Sequence, residues 1–459
     1  MEERMINMLR IPASKDIYEY WKLPLLPDYI KKWASITPQS RALIFAETGE
    51  LYDYLEYDRM NTLYSMKLIE LGIKKGDVLA VQMPPVPEFY FLMMACASIG
   101  AILAPIDMGL EPEEAVRTLR PIEPVAFLGL LPEKDFLELA PALKAGIPSL
   151  KYIFQLKGKE DGANLARESL DFKQYFSASS LEEMENREDL LDLARQAYAS
   201  LSTRDPHLIL LSPGKKQEPK PALISHEASI INAQLTVRGV GLYCSNWVLL
   251  NVRPSSHFAG SLQPFAAWAN GGCVVSMREF SAAEVLKNIE KYRPTHAIFT
   301  VSQLKSMWAL PAYGQYDLSS LRCVGFEDVT LDKHFTEQLS KMAPTWYTTW
   351  GIPETAGYIS HTPKGATPIE VLGQVGQTFP DLAKVSIRRS MRSDGTARCE
   401  VEQGEVGEIC VEGPMVFLGY YKQPEVTGAV KTKEGILYLG EKGYYHNYGN
   451  YRGLRFINR

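Results

Sequence analysis

Short apolar runs of strand length alternate with helix-length segments over most of the chain, and this alternation restricts the fold more than any other feature. Residues 78–81 predict a buried strand, residues 87–99 a helix and residues 101–105 another strand. The alternation returns later, with strands predicted at 247–250, 272–277 and 296–300 and a helix at 282–292. Strands that are apolar throughout, separated by helices, indicate largely parallel sheets covered on both faces.

The pattern changes near residue 372. Short strands predicted at 383–387 and 408–411 are separated by the turn sequences Asp394-Gly395 and Gly404-Glu405, which favour a small antiparallel sheet or barrel. With 459 residues, the length suggests about three domain-sized units. We therefore predict an α/β protein: two α/β subdomains with largely parallel sheets packed together, at 1–205 and 206–368, and a small β-barrel at 369–455.

Composition excludes several classes of partner. The net charge of −5 is small and spread out, so there is no basic surface for nucleic acid, and a small molecule is the expected partner. Residues 89–106 are almost wholly apolar, but Gly100 and Pro105 interrupt them, so we predict a buried helix, turn and strand and no membrane span. Six scattered cysteines and an N-terminus without a signal peptide predict a cytoplasmic protein.

A polar loop at residues 212–221, Ser-Pro-Gly-Lys-Lys-Gln-Glu-Pro-Lys-Pro, is the first candidate site. It follows the apolar run 208–211 and precedes a helix-compatible segment. A glycine and several lysines between a strand and a helix start suit phosphate binding, because helix N-termini present unpaired N–H groups. A solvated surface turn would have the same composition, so this loop alone leaves both interpretations open.

Several collinear stretches together resemble the adenylate-forming enzymes, a superfamily that includes acyl-CoA synthetases, luciferases and the adenylation domains of peptide synthetases. The C-terminal part is similar to the motif GEVGEIxxxGPxVxxGYxxxPExT. The matching stretches, from about residue 25 to the end, are Leu71–Asp77, Met83–Phe89, Gly100–Pro105, Phe280–Glu284, Ile289–Thr295, Gly404–Ile409, Gly413–Val416, Gly419–Tyr421 and Pro424–Thr427. The resemblance implies the superfamily's large domain, which has two α/β subdomains and a β-barrel.

The resemblance also implies a reaction. A carboxylic acid and ATP form an acyl-adenylate and pyrophosphate, and a thiol of coenzyme A or of a carrier protein then takes the acyl group. Such chemistry needs phosphate donors, Mg²⁺, an adenine slot and a ribose anchor, because phosphoryl transfer depends mainly on positioning and charge stabilisation. The implied cofactors are ATP and Mg²⁺, with coenzyme A as a further candidate.

Candidate site residues follow from the matching positions. The loop resembles TSGTTGxPKG, and Thr349–Glu354 resembles the YGxTE motif. Glu354 and Lys220 are the predicted catalytic residues, and Glu354 is also the predicted magnesium ligand. The predicted nucleotide contacts are Ser212, Gly214, Lys215, Lys216, Phe326, Glu327, Trp350, Gly351, Glu441 and Arg459, and the predicted acyl-pocket residues are His257, Gly260 and Gly325.

This sequence departs from the motifs at several nucleotide positions. In the loop, Pro213 stands at a serine, Lys215 and Lys216 at two threonines, and Gln217 and Pro221 at glycines; Pro353 stands at the threonine of YGxTE. These changes remove hydroxyl and backbone donors, so they predict weak or altered adenylation. The resemblance further implies a hinge at 456–459 and a small C-terminal domain, which the sequence to Arg459 does not include. Two functions remain open: an acyl-adenylate-forming ligase, or a non-catalytic relative that binds an acyl group, a nucleotide or a protein.

Overall fold

The computed structural model describes residues 23–157, 162–212, 219–241, 246–327, 333–363, 374–447 and 451–457. Three sheets organise these residues. The first is largely parallel, with eight strands in the order β19-β9-β8-β4-β3-β5-β6-β7. Its strands are β3 (Val78–Gln82), β4 (Ile102–Pro105), β5 (Ala126–Gly129), β6 (Tyr152–Gln155), β7 (Leu170–Asp171), β8 (Pro206–Ser212), β9 (Lys220–Ser225) and β19 (Gly419–Tyr420).

The second sheet has nine strands in the order β16-β15-β14-β13-β12-β10-β11-β1-β2. Strands β1, β11, β10, β12, β13 and β14 are parallel, and antiparallel strands close both edges. The strands are β1 (Arg41–Phe45), β2 (Leu51–Asp53), β10 (Val248–Asn251), β11 (Cys273–Ser276), β12 (His296–Thr300), β13 (Cys323–Glu327), β14 (Thr345–Ile352), β15 (Gly357–His361) and β16 (Gln377–Thr378).

A curled antiparallel sheet, with the order β17-β18-β20-β21, forms the third unit as a half-barrel. Its strands are β17 (Lys384–Arg388), β18 (Gly407–Glu412), β20 (Leu437–Asn447) and β21 (Arg452–Phe456). The predicted fold class is confirmed: two mixed, largely parallel sheets and a small antiparallel unit.

Helices cover the two large sheets, as the buried strands require. They are α1 (Leu26–Ile36), α2 (Tyr54–Glu70), α3 (Pro87–Ile99), α4 (Pro112–Leu119), α5 (Glu133–Gly146), α6 (Phe172–Phe176), α7 (Ala178–Met184), α8 (Glu188–Ala199), α9 (His226–Val240), α10 (Phe258–Ser261), α11 (Gln263–Ala269), α12 (Ala282–Tyr292), α13 (Val301–Trp308), α14 (Lys333–Met342) and α15 (Pro424–Gly428). Helix α3 is buried along nearly its whole length, which explains the apolar run at 89–106. In the ranges given above, no helix is both long and apolar enough to cross a bilayer.

Each large sheet takes strands from both sides of residue 205. Strands β1 and β2 belong to the second sheet, whereas β8 and β9 belong to the first. One hydrophobic core runs between the sheets and includes Trp268 and Tyr90, whose rings pack edge to face at 5.7 Å. The subdomain boundaries at 205, 368 and 455 stay predictions, but the sheets do exchange strands across the first of them.

Candidate active site

The polar loop connects two antiparallel strands. β8 ends at Ser212 and β9 begins at Lys220, and these two residues are paired across the hairpin. Helix α9 begins at His226, six residues later, so the helix-compatible segment is a helix, but the strand between the loop and the helix was not predicted. This strand forms by local pairing, since residues 220–225 hydrogen-bond to β8 before the chain turns into the helix.

Gly214, Lys215 and Lys216 lie outside the described residues, as do Pro213 and Gln217. Pro221, by contrast, lies within β9 opposite Leu211, and its carbonyl accepts a 2.8 Å hydrogen bond from the N–H of Tyr421. The structure therefore assigns Pro221 to the strand that supports the loop.

Glu354 is buried at the edge of the second sheet. It lies in a single 3₁₀ turn, Pro353–Thr355, between β14 and β15, and Thr355 fixes this turn by donating to the carbonyl of Gly357 over 2.8 Å. The side chain is only 4% exposed. Its Oε1 accepts a 2.7 Å hydrogen bond from the hydroxyl of Tyr420, while Oε2 has no partner among the described residues.

Tyr420 connects Glu354 to the hairpin. Its strand, β19, pairs with β9, and the backbone N–H of Phe417 donates to the carbonyl of Glu354 over 2.9 Å. The Nζ of Lys220 donates to the Tyr420 hydroxyl over 3.2 Å and lies 4.9 Å from the centre of the ring. Burial, reinforced by the Glu354 carboxylate, raises the pKa of Tyr420, which keeps its hydroxyl a donor. Lys220, Tyr420 and Glu354 thus form one hydrogen-bonded chain.

Sequence reasoning predicted Lys220 and Glu354 but missed Tyr420. Gly419-Tyr420-Tyr421 was matched to the superfamily's GY motif, yet nothing in that motif indicates a contact with a residue 66 positions earlier. The pairing of β19 with β9 brings them together. Only a signal for that strand pairing could have identified Tyr420.

A second cluster lies at the carboxyl ends of the parallel strands. Glu327 is the last residue of β13, and its Oε2 lies 3.1 Å from Nη2 of Arg253, two residues after β10. The hydroxyl of Tyr358, in β15, donates to the other oxygen of Glu327. Glu327 was predicted to contact nucleotide; Arg253 and Tyr358 were not predicted.

His257, predicted to line the acyl pocket, lies beside this cluster. It is the N-cap of α10, where its Nδ1 accepts a 3.1 Å hydrogen bond from the N–H of Ala259. Burial lowers its pKa to about 4, although the Glu327 carboxylate acts in the opposite direction. The imidazole is therefore neutral near pH 7, with its proton on Nε2.

Close packing explains why three of the predicted site residues are glycines. A Cβ on Gly260 would lie 1.9 Å from the carbonyl oxygen of Pro254, and one on Gly351 would lie 2.0 Å from that of Gly357. A Cβ on Gly325 would meet the ring of Tyr347 at 2.5 Å. These positions exclude any larger residue, whether or not a ligand binds nearby.

The structure corrects the prediction for Phe326. Its ring is fully buried, 5.4 Å from Phe335 and 6.4 Å from Trp346 in the core, and presents no surface to a nucleotide. Alternation along β13 explains this, because neighbouring side chains point to opposite faces of a strand. Glu327 faces the cluster with Arg253, and Phe326 faces the helices.

Two further predicted nucleotide contacts, Trp350 and Glu441, lie near the half-barrel. The Trp350 ring is 6% exposed and lies 4.7 Å from Phe456 of β21. Glu441 lies in β20 within an irregularity in the pairing with β18, next to Gly440, which has φ +75°. Arg459 lies outside the described residues.

No group of three His, Cys, Asp or Glu side chains within the described part of the chain could hold a metal by itself. A single carboxylate with one unpartnered buried oxygen nevertheless suits Mg²⁺. This ion keeps several waters and is usually held by one or two carboxylates together with substrate phosphates. Glu354 fits that requirement.

Comparisons with known proteins agree with this architecture. A crotonobetaine/carnitine–CoA ligase from Escherichia coli is 25% identical over 431 residues, covering 90% of this chain and 76% of the relative. A putative long-chain-fatty-acid CoA ligase from Rhodopseudomonas palustris superposes with a TM-score of 0.77 at 20% identity, covering 95% of this chain and 99% of the other. The N-terminal domain of FACL13 from Mycobacterium tuberculosis gives 0.76 at 18% identity, covering 95% and 100%.

The family match covers most of the chain. Residues 30–421 match the family described as AMP-binding enzyme, a span that contains the hairpin, Glu354 and Tyr420. The chain therefore belongs to the AMP-binding enzymes, the adenylate-forming superfamily that its motifs resemble.

Proposed function

We propose that this chain is the large domain of an acid-activating ligase. In this proposal a carboxylate attacks the α-phosphorus of ATP, the bond to the leaving pyrophosphate breaks, and an acyl-adenylate forms. A thiol then attacks the acyl carbonyl and AMP leaves. The acyl-CoA ligases among the relatives make coenzyme A the preferred acceptor, with a carrier-protein thiol as the alternative.

The observation that carries the proposal is the chain from Lys220 through Tyr420 to Glu354. A carboxylate that is 4% exposed and has one unpartnered oxygen is costly unless a ligand or a cation completes it. Its position, two hydrogen bonds from Lys220 of the predicted phosphate loop, suits a cation held between the protein and a triphosphate. Mg²⁺, when bound, would neutralise charge on those phosphates.

The other residues have supporting roles in this proposal. Tyr420 holds the carboxylate of Glu354 in place, and Lys220 adds positive charge beside the phosphates as a point charge. Trp350 and Gly351 border the adenine, Glu441 and Arg459 reach the ribose hydroxyls, and Ser212 bounds the loop at its start. The acid extends toward His257 and the end of β13.

We further propose that adenylation is weak. Pro213 lacks an N–H, Gln217 replaces a glycine, and Pro353 replaces a threonine hydroxyl that would face phosphate. Lysines at positions 215 and 216 attract phosphate but give less directional hydrogen bonds than the hydroxyls they replace. Ground-state binding of ATP and stabilisation of the transferred charge should both be reduced.

These same substitutions favour a second candidate function. A relative without catalysis could keep the acyl pocket and bind an acyl group, a nucleotide or a partner protein. The two functions differ in whether the chain makes pyrophosphate from ATP when an acid is present.

Acid-dependent exchange of labelled pyrophosphate into ATP tests the choice. The ligase proposal expects exchange that requires both Mg²⁺ and an acid. Absence of exchange with a broad panel of acids, in a protein that binds those acids, would select the non-catalytic function.

A further inference from the structure

The order of strands in the second sheet places a topological switch point between β10 and β12. From β10 the chain moves to β11 on one side, and from β12 it moves to β13 on the other. Connections that leave two adjacent parallel strands in opposite directions make a topological switch point. In open α/β sheets, ligands bind in the crevice outside the carboxyl ends of such strands.

An ion pair crosses this crevice. Arg253 follows the carboxyl end of β10, and Glu327 ends β13 opposite Thr300, the last residue of β12. The contact of 3.1 Å between Nη2 and Oε2 therefore passes over the end of β12. The hydroxyl of Tyr358 donates a hydrogen bond to the other carboxylate oxygen of Glu327, Oε1.

The guanidinium group retains an unused donor. The Arg253 side chain is 10% exposed, yet its Nε has no hydrogen-bond partner among the described residues. Leaving a buried charged donor unpaired costs more than an ordinary hydrogen bond contributes. An oxygen acceptor supplied by a ligand would remove this cost.

The surroundings disfavour a plain hydrocarbon. An alkyl chain placed against Arg253 and Glu327 would displace water from both charges and return no hydrogen bond. An acid whose tail carries a hydroxyl or a second carboxylate would accept from Arg253 instead. Sites that offer a buried polar group reject analogues that lack the matching atom.

We infer that Arg253 and Glu327 form a polar wall of the acid pocket and select acids whose tail carries an oxygen acceptor over unsubstituted alkyl acids. This inference rests on the proposed function, because it assigns the acid to this crevice. Arg253 is then a specificity residue that contacts the tail, and Glu327 orients it.

Acid binding without ATP tests the inference separately from adenylation. Calorimetric titration of the full chain would compare 3-hydroxybutanoate and succinate with butanoate and hexanoate. The oxygen-bearing acids should bind about tenfold or more tightly than the alkyl acids, the range expected for a hydrogen bond to a charged group. Arg253→Met should abolish this preference, and Glu327→Gln should reduce it.

Arg238→Met is the matched control, because Arg238 also pairs with a carboxylate, that of Asp381, but lies on α9 and not at the carboxyl ends of the parallel strands. It should keep the preference. Equal binding of the two acid sets, a preference unchanged in Arg253→Met, or no binding of any acid would each overturn the inference. Binding with the expected preference but without pyrophosphate exchange would contradict the ligase function alone.

If Arg253→Met unfolds, the double variant Arg253→Met/Glu327→Leu replaces the pair with apolar side chains and leaves no unpaired charge. It should favour hexanoate over succinate. A double variant that still prefers succinate would also overturn the inference.

Discussion

The hydroxyl of Tyr420 donates a 2.7 Å hydrogen bond to Oε1 of Glu354 and so fixes the predicted magnesium ligand from a strand 66 residues away. Tyr420 itself accepts from Lys220 over 3.2 Å. The strand pairing of β19 with β9 holds the tyrosine beside the hairpin. One hydroxyl thus couples the loop strand to the buried carboxylate.

Tyr420→Phe should destabilise the protein by about 2 kcal/mol, because it leaves both carboxylate oxygens of Glu354 without a partner among the described residues. Urea unfolding measures the change in free energy. Tyr421→Phe removes the same hydroxyl from the neighbouring tyrosine and should have a smaller effect. An equal loss of unfolding free energy in the two variants would contradict the coupling of Tyr420 to Glu354.

Restoring two loop residues should strengthen ATP binding. Pro213→Ser returns a backbone donor and a hydroxyl, and Gln217→Gly returns flexibility, so the double variant should bind ATP with Mg²⁺ about tenfold more tightly. Pro221 is left unchanged because it lies in β9, where glycine would weaken the strand. Calorimetry is the measurement, and submicromolar affinity in the original chain would contradict a weakened loop.

Stability should fall steeply between pH 6.5 and 4. Four histidines are fully buried, and burial lowers their pKa values: His207 well below its usual range, His226 to about 4, and His296 and His361 to about 3. The unfolded chain binds these protons near pH 6.5 and the folded chain does not, so stability present above pH 6.5 is lost on acidification. Each histidine should lower the free energy of unfolding by about 1–2 kcal/mol at pH 5 relative to pH 7.

Unfolding midpoints in urea at pH 7 and pH 5 measure this dependence. His361→Phe is the comparison variant, because neither ring nitrogen of His361 has a partner among the described residues. The His361→Phe variant should take up about one proton fewer on unfolding at pH 5 than the original chain does. A midpoint that is the same at both pH values would contradict the prediction.

Local pattern was enough to predict the fold class and most elements. The apolar runs and helical spacing in the sequence predicted α3 and α12 with the bounds that the structure gives, and β3 and β12 within one residue. The exchange of β1 and β8 between sheets was not predictable, because long-range pairing leaves no local signal. Strand β9 was missed because Lys220 and Pro221 resemble a loop.

The site was predicted only in part, for the same reason. Motif resemblance predicted site roles for Glu354 and Lys220, and the structure shows that both hydrogen-bond to the hydroxyl of Tyr420. It could not identify Arg253, because that residue is recognised only through Glu327, 74 positions away. It also placed Phe326 at a nucleotide, whereas alternation along β13 buries that ring.

Acid-dependent exchange of labelled pyrophosphate into ATP, measured for the original chain and for Glu354→Gln, tests the account most directly. Glutamine can still accept from Tyr420 but lacks the charge that Mg²⁺ requires. The account predicts slow exchange in the original chain that needs Mg²⁺ and an acid, and a loss of at least about tenfold in Glu354→Gln. Exchange that is unchanged in Glu354→Gln would contradict it.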